Sequence, residues 1–199
     1  MKMTYHASRI YIWLTRFHRC RGFGVQSPSD YSFIRYVINE HYPYYAYTDL
    51  RRAMPDAGPL VHRLGRLYFR IANHLQPALI SDIRPATDAY AAYMHAGCRR
   101  TVITHDTADI SRADMLRITL SDDQTTPFGS PNAIIRKAIA TARPGSIVIL
   151  EGINHNRATR AFWRSIRQDK HAVITFDLHY AGLILFPPNR YPQHYTVCF

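Results

Sequence analysis

Acidic residues are scarce in this chain: 14 Asp+Glu stand against 25 Lys+Arg, for a net charge of +11. Residues 1–70 alone hold 11 Lys+Arg and 4 Asp+Glu, an excess of +7. Such a balance leaves three readings open: a basic solvated face, a surface for a polyanion or nucleic acid, or contact with an anionic membrane surface. Long apolar runs are also missing. The most apolar short stretch, Ala181-Gly182-Leu183-Ile184-Leu185-Phe186, falls far below the ~20 residues of a membrane span. Met1 to Ser8 offers no apolar segment followed by a small-residue cleavage site, so no secretory signal is expected. The three cysteines, Cys20, Cys98 and Cys198, are odd in number and unpatterned. They make neither a disulfide framework nor a zinc motif, and the expected location is cytoplasmic.

Several chemistries lack their signatures. No Gly-x-Ser-x-Gly elbow and no Gly-Lys-Ser/Thr loop is present. The 11 histidines include no His-x-x-x-His pair with an acid between, so no metal site is expected.

What is present is an aromatic, basic, helical front and an alternating strand–helix back. Aromatics reach 13%, with 14 Tyr. Ile10, Trp13, Leu14 and Phe17 fall on one stripe of a helix, with Arg9, Arg16 and Arg19 off it. The expectation is that this stripe packs on the domain, with docking on a bilayer through Trp13 and Phe17 as the alternative. Gly22 and Gly24 end that helix, and Ser27-Pro28-Ser29-Asp30 starts the next, which runs to Glu40 with Phe33, Ile34, Val37 and Ile38 inward. Pro43 breaks the Tyr42–Tyr47 cluster, and Ala53 to Pro59 reads as a loop. A helix over Val61–Leu75 directs Leu64, Leu67, Tyr68 and Ile71 inward.

Strands are predicted at Ala78–Ile83, Thr101–Thr104, Leu116–Leu120 and Ser146–Leu150. Helices are predicted at Thr87–Ala96, Asn132–Ala142 and Arg157–Gln168. This alternation argues for a parallel sheet. Ala172–Leu178 and Gly182–Phe186 are too close for a helical crossover and predict an antiparallel hairpin; Tyr195–Phe199 adds a last strand.

Three segments carry a family resemblance: Gly24-Val25-Gln26-Ser27-Pro28, Tyr44-Tyr45-Ala46-Tyr47 with Leu50-Arg51-Arg52, and Phe176–Phe186 continued by Gln193–Phe199. They resemble the class I S-adenosylmethionine-dependent methyltransferases, in particular a bacterial subfamily with a basic N-terminal helix, whose Gly-(Val/Ile)-His-Ser-Pro element has Gln26 here in place of His. The resemblance implies a fold of α/β class. Its Rossmann-like methyltransferase core (61–199) has a mostly parallel sheet ending in an antiparallel hairpin, and it follows an N-terminal helical extension (1–60). Only Thr107–Asp114 separates two predicted strands, so the core is expected to be short by about one βα unit.

The resemblance also places the site. Asp82 takes the acidic position that ends the first strand. The family's Gly-x-x-x-Gly turn, where bare backbone approaches the cofactor, becomes Arg84-Pro85-Ala86-Thr87-Asp88. Asp106 takes the ribose position, although an Asp after a strand is equally a helix cap. Asp122, beside Asp123, follows a later strand at a pocket position, where paired carboxylates could bind a divalent metal or act as a general base, or it begins a solvated loop, which is the preferred reading. Glu151 and His155 are the catalytic candidates, with a plain surface role as the alternative for His155. S-adenosylmethionine is the implied cofactor, and the Arg84-Pro85 turn stands against its binding. Three functions follow in order of preference: a methyltransferase-like protein with lost or weakened cofactor binding, an active methyltransferase with an altered loop, and a basic module for nucleic acid or an anionic surface. The Arg157, Arg160, Arg164, Arg167 and Lys170 ridge supports the last.

Overall fold

The structure is a computed structural model that describes residues 5–17, 24–85, 87–120 and 131–199. The chain divides into two compact units. One is helical and comprises residues 1–76, 87–101 and 197–199; the other carries the sheet and comprises residues 77–86 and 102–196.

In the helical unit, α1 (Tyr5–Arg16) is followed by α2 (Pro28–Phe33), which ends in a wide π turn over Ile34–Ile38. Ser27 caps α2 by accepting the Asp30 N–H at 3.4 Å, and Phe33, Ile34, Val37 and Ile38 are buried as expected. Then come α3 (Tyr45–Ala53) and α4 (Pro59–Leu75), and, after a strand of the other unit, α5 (Ala89–Gly97). Leu64, Leu67, Tyr68 and Ile71 of α4 are all buried. Arg70 on the same helix is buried too. Its Nε donates to the Val37 carbonyl at 2.6 Å, one Nη to the Ile38 carbonyl at 2.9 Å, and the other to the Tyr47 hydroxyl at 3.5 Å. One guanidinium thus satisfies carbonyls that a helix end leaves without intrahelical donors. The α4–α5 contact is close because two glycines lack side chains: a Cβ on Gly65 would run into the Tyr93 ring, and one on Gly97 into the Phe69 carbonyl.

The α1 stripe corrects the sequence reading. Ile10, Trp13, Leu14 and Phe17 are 57–61% exposed, and it is Ile12, on the other side of the helix, that is buried at 2%. Periodicity defines an apolar face without saying where that face points, and here it points outward. The Tyr cluster is mixed: Tyr42 and Tyr45 are exposed, whereas Tyr47 is buried against Phe69.

In the second unit, β1 (Leu79–Ile83), β2 (Val102–Thr104), β3 (Met115–Thr119), β4 (Ile147–Glu151), β5 (Ile174–Asp177), β6 (Ala181–Leu185) and β7 (Gln193–Thr196) form one sheet of order β2-β1-β3-β4-β6-β5-β7. The β1, β2, β3 and β4 ladders are parallel, as is β5 with β7. Only β6 runs antiparallel to its neighbours, β4 and β5. This is the expected mostly parallel sheet closed by a hairpin. The last strand sits slightly earlier than predicted, at Gln193–Thr196.

Residues 105–114 carry the chain from β2 across β1 to β3 with nothing but a 3₁₀ turn at Thr107–Asp109. The link has no room for a helix, and β2 is left as the sheet edge. Helices α6 (Pro131–Ala140) and α7 (Arg157–Arg167) follow β3 and β4 and bury Ile135, Ile139, Trp163 and Ile166 with Leu116, Ile118, Val148, Leu150 and Ile184.

Candidate cofactor site at the carboxyl ends of β1, β3 and β4

In open α/β sheets, ligands bind beyond the carboxyl ends of the parallel strands. In the sheet unit Asp82, Thr119 and Glu151 stand at or next to those ends, and Arg117 lies in the middle of β3 beneath them. Parallel register pairs Asp82 with Arg117 and Thr119 with Glu151. Because strand side chains alternate with a period of two, all four project from one face. Ile83 and Ile118, one residue on, turn to the other face and join the apolar core.

Arg117 joins the group. Its Nη1 lies 2.6 Å from Asp82 Oδ1, and its Nη2 lies 3.1 Å from Glu151 Oε2 and 3.2 Å from Thr119 Oγ1. The side chains of Asp82 and Arg117 are 0% exposed, and that of Glu151 is 12% exposed. A guanidinium fits this place because its fork reaches several acceptors at fixed angles. One cation is therefore shared by two carboxylates, which gives each buried or part-buried acid a partner of opposite sign and leaves the trio with a formal charge of −1.

The sequence reading missed Arg117. The signal was there: Met115-Leu116-Arg117-Ile118-Thr119 puts one cation in the middle of an apolar strand of a parallel sheet. Such strands are buried on both faces, and a charge inside one needs a partner of opposite sign.

Arg84, just past β1, has φ +56°, in the region that glycine enters most readily, and it is half-buried. Pro85 follows it and brings no N–H. Asp88, by contrast, is an ordinary right-handed residue at the start of α5, exposed, with φ −66°. Asp106 is exposed and caps the 3₁₀ turn, its Oδ1 accepting the Ala108 N–H at 2.8 Å. Its backbone carbonyl lies 3.5 Å from the Ser81 hydroxyl. His105, next to it, has its Nδ1 at 2.7 Å from the Asp82 carbonyl. His155 is exposed in the turn after β4, where its N–H donates to the Gly152 carbonyl at 2.9 Å; among the described residues it shares no bond with Asp82, Arg117 or Glu151. Asp122 lies outside the described residues. The structure thus brings Asp82 and Glu151 together through Arg117, and it sets Asp106 and His105 beside the β1 end.

Among the described residues no group of His, Cys, Asp or Glu is arranged to hold a metal ion, and no helix is long and apolar enough to cross a membrane.

This arrangement of strands defines a class. The chain has a Rossmann-like fold of the class I methyltransferase kind. It superposes on the crystal structure of the Podospora anserina methyltransferase PaMTH1 in its SAH-bound form with a TM-score of 0.51 at 12% identity, over 79% of this chain and 93% of that one. At such identity the likeness is one of fold. No family model and no curated protein matches the sequence.

Proposed function

We propose that this protein is a divergent, non-catalytic member of the methyltransferase fold, with binding of S-adenosylmethionine lost or greatly weakened. The observation that carries the reading is the Arg117 bridge: the carboxylates of Asp82, which the resemblance assigns to the cofactor pocket, and of Glu151, the catalytic candidate, face a guanidinium of the protein itself. Two further features support it. The turn after β1 presents Arg84 and Pro85 where bare glycine backbone would approach a nucleoside with its sulfonium tail. The Asp106 carboxylate, in the ribose position, is already engaged by the Ala108 N–H. Together these side chains argue against the cofactor settling at the end of β1.

Calorimetric titration with S-adenosylmethionine and S-adenosylhomocysteine tests the reading. The expected result is no saturable heat tighter than a Kd of about 1 mM. Micromolar affinity for either compound overturns it. One observation favours the active alternative. The backbone at Arg84 keeps the positive φ of a glycine turn, so an Arg84→Gly protein has that turn without its side chain. If Arg84→Gly binds S-adenosylhomocysteine in the micromolar range and adding Asp106→Ala abolishes that binding, the pocket is intact and only obstructed.

A further inference from the structure

The least accounted-for surface of the helical unit is the outer face of α1. It presents Ile10, Trp13, Leu14 and Phe17, with Tyr11 beside them at 54% exposure, and the Trp13 and Phe17 rings lie 5.8 Å apart. Isolated exposed apolar residues are ordinary, whereas four on one short helix and a fifth, Phe17, directly after it mark a contact surface. Ile12, buried at 2%, faces the protein, so the stripe is turned away from it.

We propose that α1 is an interfacial helix that docks the protein on an anionic lipid surface. Charge selects this occupant. Lys2, Arg9, Arg16, Arg19 and Arg21 precede Asp30, the first acidic residue of the chain. Arg9 and Arg16 stand one helical turn on either side of Trp13. A second copy would bring two such segments of net positive sequence charge together, which like charge opposes. A nucleic acid offers phosphates for the arginines but no apolar layer for Ile10, Leu14 and Phe17. An anionic bilayer offers both, a charged plane above an acyl boundary, and Trp and Tyr are the residues that favour that boundary. At 12 residues α1 is about 18 Å long, enough to lie in the interface and too short to span the hydrocarbon. The inference stands on α1 alone and is independent of whether the sheet unit binds a cofactor.

The full-length protein is mixed with vesicles of phosphatidylcholine, or of phosphatidylcholine with about 30% phosphatidylglycerol. Binding is read by cosedimentation and by Trp13 emission; the other tryptophan, Trp163, is buried and bonded to Asp177, so the shift reports on α1. The expected result is partitioning at least roughly tenfold stronger on the anionic vesicles, with a blue-shifted emission, weakening as salt rises above ~0.15 M. Trp13→Ala with Phe17→Ala lowers partitioning at least about tenfold. Both side chains are exposed, so unchanged circular dichroism and melting show that this variant is folded. Arg9→Glu with Arg16→Glu, which keeps the apolar face, removes the preference for anionic lipid.

Equal binding to both vesicle types, or binding that survives Trp13→Ala with Phe17→Ala, overturns the proposal. Absence of vesicle binding together with tight single-stranded RNA binding would replace it with a polyanion surface. A dimer in lipid-free buffer that the double alanine variant dissociates would replace it with self-association. Absence of all three kinds of binding overturns it as well.

Discussion

Asp82 and Arg117 are register partners on adjacent parallel strands, and their side chains meet at 2.6 Å with neither exposed to solvent. The pair is held from the far side by Glu151. Burying these charges costs desolvation that their attraction repays only while all partners remain, so the group behaves as a unit. Arg117→Met leaves Asp82 buried without its cation and is expected to lower unfolding stability by about 3–5 kcal/mol in urea denaturation. Adding Asp82→Asn removes the stranded charge and is expected to recover at least about 1 kcal/mol of that loss. A loss below about 1 kcal/mol for Arg117→Met would remove the ion pair from the list of what organises this end of the sheet.

Asp106 gives a second, smaller test. Its carboxylate accepts the Ala108 N–H from an exposed position, which is a capping role. Asp106→Ala is expected to cost about 1 kcal/mol, and Asp106→Asn, which keeps an acceptor oxygen, to cost a few tenths. Thermal or urea unfolding of the two variants separates them. Equal losses would show that the oxygen at this position does not serve as a cap.

In the helical unit, His62 is buried, with its Nδ1 at 2.9 Å from the Tyr93 hydroxyl. Burial, and after it the positive charges of Arg51 and Arg66, holds the imidazole below the usual histidine range. The unfolded chain, whose histidines titrate near ~6.5, therefore takes up the proton more readily than the folded one. Stability is full above that pH and falls as the pH drops through it toward the lower folded value. His194 is shifted the same way, by burial and by Arg167, so the wild-type slope contains both. The difference between wild type and His62→Gln isolates His62. The melting temperature of His62→Gln is expected to fall less between about pH 7.5 and 5.5 than that of wild type. Parallel profiles would mean that His62 is protonated as easily folded as unfolded.

Much of the fold was legible because its signals are local. Leu64, Leu67, Tyr68 and Ile71 repeat at helical spacing and are buried on α4, and the short link between the β5 and β6 segments permitted only a hairpin. The helix-free link between β2 and β3 was legible by length alone, since residues 105–114 cannot hold a helix and a strand. What failed was direction and partnership. The α1 stripe was correctly periodic, yet periodicity cannot distinguish a face that packs from one that waits for something else. Arg117 was passed over because its strand reads as apolar, and its meaning depends on Asp82 and Glu151, which are distant in sequence and adjacent only through register. Asp82 was legible as a strand-terminal acid, but the guanidinium beside it was not.

Gly182 offers the sharpest packing test. It lies on β6 in register with Asp177 of β5, and the six-membered ring of Trp163 from α7 rests on it. A Cβ at position 182 would stand 2.6–2.8 Å from three carbons of that ring. The indole has little freedom to withdraw, because its Nε1 donates to Asp177 Oδ2 at 3.0 Å while Asp177 Oδ1 accepts the His179 N–H at 3.0 Å. Gly182→Ala therefore forces either the indole off its hydrogen bond or α7 away from the sheet, and is expected to cost about 1–3 kcal/mol. The gain in backbone rigidity from replacing glycine is smaller than this and of opposite sign. Trp163→Leu in the Gly182→Ala background is expected to cost less than Trp163→Leu alone, since the added methyl fills part of the space that the indole leaves. Urea unfolding of the four proteins closes the cycle. An additive result would place the indole elsewhere, whereas a coupling of at least about 1 kcal/mol would fix α7 to β6 through this one contact.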